Sequence, residues 1–169
     1  GARSVAIGRE ALAAQNFTTS TNAFNVAVGD RAGQAVTTGV QNILIGALAG
    51  DSLTDADYNV AIGDQALTSD TLGNRSVAIG QAALFSQNFT TATSAYNVAI
   101  GYAAGGAVTS GIHNVLIGGL TGDAITEGAR NTAVGTFALT ADTQGSRNTA
   151  MGYSALGTQN FTTATESYN

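Results

Sequence analysis

The chain lacks cysteine, proline and tryptophan, and it lacks lysine, so all six of its basic residues are arginine. Without cysteine there is no disulfide framework and no thiolate metal site. Without lysine there is no Schiff-base amine and no P-loop lysine. Charged residues make up only 10% of the 169, one histidine is present, and the formal net charge is −5. Six cations in a weakly acidic chain are too few to track a phosphate backbone, so no nucleic-acid partner is expected. No apolar run approaches the ~20 residues of a membrane span, so this segment is not expected to insert in a membrane, and none reads as a signal peptide. The hydrophobic fraction, 44%, is too high for a disordered chain. Glycine is abundant, at 22 residues, which directs attention to repeats.

A motif of the form Val-Ala-Ile-Gly recurs nine times, closing on Gly8, Gly29, Gly46, Gly63, Gly80, Gly101, Gly118, Gly135 and Gly152. The spacings run 21, 17, 17, 17 and then repeat, giving a 72-residue superrepeat: residues 8–79, 80–151 and a partial copy at 152–169. The first two copies align without a gap and share 39 of 72 positions. Seventeen residues are too few for helical repeats, which need roughly 33, or for leucine-rich repeats, which need about 20. The Val-Ala-Ile triplet between asparagine and glycine reads as a short strand. A second apolar patch follows the glycine, as at Ala66-Leu67. Two short strands and two turns fit one coil of an all-β, parallel β-solenoid with two sheets, a β-roll of ~17-residue coils. The chain reads as one solenoid domain over 1–169, cut from a longer fibre.

In a solenoid, equal phases stack into ladders. Four residues before the glycine stand Asn25, Asn42, Asn59, Asn97, Asn114, Asn131 and Asn148, with Ser4 and Ser76 substituting; such a column can hold a turn by hydrogen bonds along its length. Eight residues after the glycine every short coil has threonine, and two further on comes glycine, except at Ala56. That glycine implies either positive φ or tight stacking.

One pair of phases shows volume compensation. The fourth residue after the glycine is Leu12, Leu67, Leu84, Leu139 or Leu156 in some coils, and Gly33, Gly50, Gly105 or Gly122 in others. The glycine coils carry an aliphatic residue three positions later (Val36, Leu53, Val108, Ile125), where the leucine coils carry Gln15, Asp70, Gln87, Asp142 or Gln159. One aliphatic group is therefore expected to fill the same part of a close-packed core from either of two places.

A core this thin implies partner chains. With Val and Ile read as facing the core, the middle strand position faces outward. Its column, Ala27, Leu44, Ala61, Ala99, Leu116 and Ala133, is small enough for another chain to approach and is the candidate chain–chain interface; the alternatives are a monomeric solenoid whose alanine column faces water, or contact through the other strand face. Asn42–Gly50 is apolar on both faces, which is typical of a strand buried on both sides.

The pattern Asn-Val-Ala-Ile-Gly-x-x-Ala, at Asn59–Ala66 and Asn97–Ala104, resembles the head repeats of YadA-type trimeric autotransporter adhesins. Similar repeats occur in trimeric tail fibres of bacteriophages and other viruses. The resemblance runs over essentially the whole chain. It implies a left-handed β-roll, a homotrimer about a long axis, and extracellular attachment, at a cell surface or on a virion, to a host glycan or protein. Adhesin heads commonly use a shorter coil, and the 72-residue superperiod departs from the family pattern.

The long coils place their extra residues at one phase, in loops that are the expected receptor contacts: Asn16, Phe17, Thr18 and Thr19; Asn88, Phe89, Thr90 and Thr91; Asn160, Phe161, Thr162 and Thr163. Aromatic residues concentrate in these coils, where they suit glycan or protein contact; burial of Phe17 and its equivalents as plugs is the alternative. No catalytic or metal site is expected, and no cofactor. His113 is unique and its counterpart one superrepeat earlier is Gln41, which reads as a surface position. Asp51, Asp55 and Asp57 lack EF-hand spacing. Asp70 with Arg75, repeated as Asp142 with Arg147, reads as a surface ion pair. The sequence therefore points to a non-enzymatic attachment fibre. The alternative is a purely structural filament, and ice binding through the threonine phases is a remote third.

Overall fold

The computed structural model describes residues 2–169 and is a parallel β-solenoid without helices. Thirteen short strands form in chain order. Nine of them make one parallel sheet: β1 (Val5–Ile7), β2 (Val26–Val28), β3 (Ile43–Ile45), β4 (Val60–Ile62), β6 (Val77–Ile79), β8 (Val98–Ile100), β9 (Val115–Ile117), β10 (Thr132–Val134) and β12 (Thr149–Met151). The register is strictly coil on coil, as in Ala27 opposite Leu44 and Leu44 opposite Ala61. The ~17-residue spacing read from the glycines is thus the circumference of one coil.

The expected second sheet is present only in fragments. Two-residue strands β5 (Gly73–Asn74) and β7 (Thr93–Ser94) pair, as do β11 (Gly145–Ser146) and β13 (Thr165–Glu166). Both pairs lie where a long coil stacks on the short coil before it. Elsewhere the wall opposite the main sheet is built of turns, because the second and fourth residues after each strand glycine adopt left-handed φ, as at Gln65 (φ 57°) and Leu67 (φ 53°). That conformation interrupts any extended run. Coil-to-coil hydrogen bonding continues regardless, as in Gly33 N–H to Ala49 O, 2.9 Å, and Thr37 N–H to Thr54 O, 2.9 Å.

Glycine closes each strand for two reasons that act together. Its φ lies between 121° and 141° in all nine copies, and a Cβ at Gly46 would stand 2.6 Å from the carbonyl carbon of Gly63 in the next coil. The turn glycines Gly73 and Gly145 do not have positive φ. They are required by close approach, since a side chain there would strike the carboxylates of Asp70 and Asp142.

The strands face opposite to expectation. In β2, β4, β6, β8, β9 and β10 the middle residue is buried and the two flanking residues are half-buried; in β3 and β12 the flanks are exposed. Ala27, Leu44, Ala61, Ala99, Leu116 and Ala133 are all fully buried inside the coil. They are core, and cannot be the face that meets another chain. The cause is the small interior of a 17-residue coil: a Leu from the opposite wall already fills it, leaving room at the strand centre for little more than a methyl group. Where the strand centre is Leu44, the opposite wall empties. A Cβ at Gly33 would lie 2.5 Å from Leu44 Cδ1, and one at Gly50 would lie 2.8 Å from Leu44 Cδ2. Leu116 has the same relation to Gly105 and Gly122, at 2.7 and 2.8 Å. The compensation seen between two phases therefore involves three, and the aliphatics it places inside (Val36, Leu53, Leu67, Leu84, Val108, Ile125, Leu139) are all fully buried.

Candidate functional site

Three exterior features are candidates for contact: the outer face of the sheet, the long-coil loops, and a corner column just before the sheet. All three depend on the asparagine ladder that fixes the entry to each strand. Asn59 donates Nδ2–H to Gly73 O across its own coil at 2.8 Å, and its Oδ1 accepts the Ser76 N–H of the next coil at 2.9 Å. Asn42, Asn114 and Asn131 repeat both kinds of contact. The whole column from Asn25 to Asn148 is at most 1% exposed, so these asparagines serve the fold and not a ligand.

The outer sheet face carries the first and third residue of each strand. All are Val, Ile or Met except Thr132 and Thr149. Val5, Ile7, Ile43, Ile45 and Met151 are exposed. At ~4.8 Å per strand the face is an apolar strip roughly 40 Å long, half-buried along most strands and exposed at β1, β3 and β12, and apolar patches of that extent mark interaction surfaces.

The loops place their aromatic and polar residues differently. Phe89 is 8% exposed: its ring plugs the bulge, which removes it from the contact set. Its backbone closes the loop onto the preceding coil, with Phe89 N–H on Asp70 Oδ1 at 3.0 Å and Phe89 O accepting Leu72 N–H at 3.0 Å. Phe17 and Phe161 are half-buried. Asn16, Thr18, Thr19, Asn88, Thr90, Thr91, Asn160, Thr162 and Thr163 are exposed and make up the accessible loop surface.

Asp70 forms no ion pair with Arg75. It is fully buried and accepts from Gly73 N–H (3.0 Å), Phe89 N–H (3.0 Å) and Gln87 Nε2–H (2.6 Å). Gln87 in turn donates to Ser76 Oγ and accepts from Asn97 Nδ2–H. Burial pushes the Asp70 carboxyl above the usual carboxylate value, against the downward pull of these hydrogen bonds. Asp142 likewise takes Gly145 N–H, Phe161 N–H and Gln159 Nε2–H. The polar residues at this phase are therefore the lock between each long coil and its predecessor.

The corner column was missed by the sequence reading. Five residues before each strand glycine, and at the same phase in the last coil, stand Arg3, Phe24, Gln41, Tyr58, Arg75, Tyr96, His113, Arg130, Arg147 and Tyr168. Every one has left-handed φ, between 51° and 63°, and all are exposed except half-buried Arg147. Their flat groups stack along the solenoid in three runs, which leave out Gln41 and Arg130. The Arg75 Cζ sits 5.0 Å from the Tyr58 ring centre and 5.8 Å from that of Tyr96, and the Tyr96 and His113 rings are parallel within 9° at 5.4 Å. Arg3 on Phe24 (5.6 Å) and Arg147 on Tyr168 (5.4 Å) extend the pattern. His113 is thus a surface position, as expected, and a member of a stack. Reading this one phase across all coils was the signal that could have revealed the column.

The acids do not cluster. Asp51 accepts from Thr68, Asp55 from Thr38 and Asp57 from Val40 N–H, and no group of three His, Cys, Asp or Glu close enough to hold a metal occurs among the described residues. The threonine ladder spends its hydroxyls on the next coil's carbonyls, as in Thr54 Oγ1–H to Thr71 O at 3.1 Å. Comparisons with protein-family models, with curated proteins and with solved structures each give no match. The likeness to adhesin heads and tail fibres therefore rests on the repeated motif alone.

Proposed function

We propose that the chain is a non-enzymatic extracellular attachment fibre, assembled as a homotrimer and displayed at a cell surface or on a virion. The observation that carries this reading is the outer sheet face. It is a largely apolar strip that runs along all nine strands of the main sheet. In the trimer the strips of three chains face a common axis and leave water together, while loops and corners remain outside for contact with a host glycan or protein. Burial of apolar area contributes about 25 cal/mol per Å². The interface differs from the sequence expectation: Val, Ile and Met of the flanking strand positions form it, and the Ala/Leu column lies behind them.

A second reading is a structural spacer, whose repeats set length and bind nothing. Burial of Phe89 favours it, since that loop then presents only Asn and Thr. Beads coated with the protein, presented to a panel of bacterial and animal cells, separate the two. Attachment predicts adhesion to at least one cell type. Failure to adhere to any supports the spacer.

A further inference from the structure

The corner column holds large side chains in a backbone conformation that disfavours them, and none of them supports the core. Glycine would relieve that strain without touching the interior. The core-facing left-handed position, four residues after the strand glycine, holds leucine or glycine according to the space that Leu44 and Leu116 leave. The column contains no glycine and no acid. Its side chains take no part in that packing and face outward. From Tyr58 through Arg75 and Tyr96 to His113 the faces cover one another, so a ligand meets edges there: guanidinium N–H, phenol O–H and imidazole, one per coil at ~4.8 Å. The ion pairs of the described residues involve Arg9, Arg31 and Arg147, which leaves Arg3, Arg75 and Arg130 with no acid partner.

We propose that this column is a binding strip for an extended acidic polysaccharide, whose carboxylate or sulfate oxygens accept hydrogen bonds from the edges of Arg75, Arg130, Tyr58 and Tyr96. Guanidinium matches both kinds of oxygen. Both faces of the Tyr96 ring are covered, by Arg75 and His113, which leaves a nucleobase no free ring to stack on there. A linear polymer dense in oxygen acceptors fits a row of N–H and O–H edges. Arginine suits this column because a flat guanidinium stacks on rings, as Arg3, Arg75 and Arg147 do.

The strip deepens the attachment reading by naming a ligand, and its test uses purified protein so that the two can fail separately. Fluorescent oligosaccharides from heparin (sulfated) and polygalacturonate (carboxylated) are titrated with the full chain, with dextran as the neutral control and an oligothymidine as the rival polyanion. Either acidic oligosaccharide is expected to bind, dextran is not, and affinity falls steeply when salt rises from about 50 to about 500 mM, where the screening length shrinks to a few Å. Arg75→Gln with Arg130→Gln weakens binding about tenfold or more, equivalent to about 1.4 kcal/mol. Arg9→Gln with Arg31→Gln, away from the column, changes it less than about twofold, as expected for exposed paired charges. No binding of either acidic oligosaccharide, equal loss in both double variants, or tighter binding of oligothymidine overturns the strip. If the column variant does not fold, wild-type binding that ignores salt overturns it equally. Cell adhesion without polysaccharide binding also overturns the strip and leaves the attachment reading standing.

Discussion

Replacing Leu44 by alanine removes three carbons from the centre of the third coil. At about 0.8 kcal/mol per buried carbon group, transfer alone accounts for about 2.5 kcal/mol. The hole has little means of closing. Gly33 and Gly50 offer no side chain to move in, and their backbone is pinned by Gly33 N–H to Ala49 O and Gly50 N–H to Ala66 O, both 2.9 Å. An unrelaxed cavity adds about 1 kcal/mol, for a total of about 3–4 kcal/mol, within the range of leucine-to-alanine changes in rigid cores. Ile43, its neighbour in β3, is 39% exposed and faces out, so Ile43→Ala costs about 1 kcal/mol or less in the isolated chain. Urea unfolding followed by circular dichroism at two protein concentrations tests both. The Leu44→Ala cost is expected to be the same at each. The Ile43→Ala cost grows with concentration, because assembly stabilises the folded chain by mass action. A Leu44→Ala cost below that of Ile43→Ala in dilute protein would refute the inward orientation of the middle strand position.

Asn59→Ala strands the Gly73 carbonyl and the Ser76 N–H, and is expected to cost about 2–4 kcal/mol by chemical denaturation, the penalty for two buried unpaired groups. Gly63→Ala forces a side chain into φ 135° and to 2.6 Å from Gly80 C, so it should lower stability by about 3 kcal/mol or more. Gly119→Ala, with nothing within 4 Å, should be neutral or slightly stabilising. Asp70 carries a pH signature. Its folded carboxyl titrates above its unfolded value of 3.8. Its favourable contribution is therefore complete below that value and is lost as pH rises through the folded value. Asp70→Asn removes the charge at every pH, so its denaturation midpoint should fall less than that of wild type between about pH 4 and pH 7. Parallel pH profiles would count against a buried carboxylate at this position.

The circumference of the coil was legible in the sequence because the strand glycine cannot be replaced without striking the coil above, so its spacing records the geometry directly. The Leu67-versus-Leu53 exchange was legible for a similar reason: a closed interior conserves volume. The facing of the strands was not. Large-small-large is ordinarily read with the large residues inside, and that holds where the opposite wall leaves space. Here Leu67 already fills the coil, and Ala61 is what fits beneath Val60 and Ile62. Asp70 looked like a surface acid because its partners, Gly73 N–H and Phe89 N–H, are backbone groups that no residue pattern announces. The corner column was obscured because Phe24, Tyr96 and Tyr168 lie in the long coils, where the other aromatic residues concentrate around the loops. Their common phase with Arg75 and Arg130 places them in one line.

Sedimentation equilibrium of the purified chain bears most directly on the assembly that the outer sheet face implies. A trimer, three times the 16.8 kDa chain mass, is expected at micromolar concentration, with Ile45→Arg shifting the species to monomer. A folded wild-type monomer at every concentration would contradict the proposed fibre.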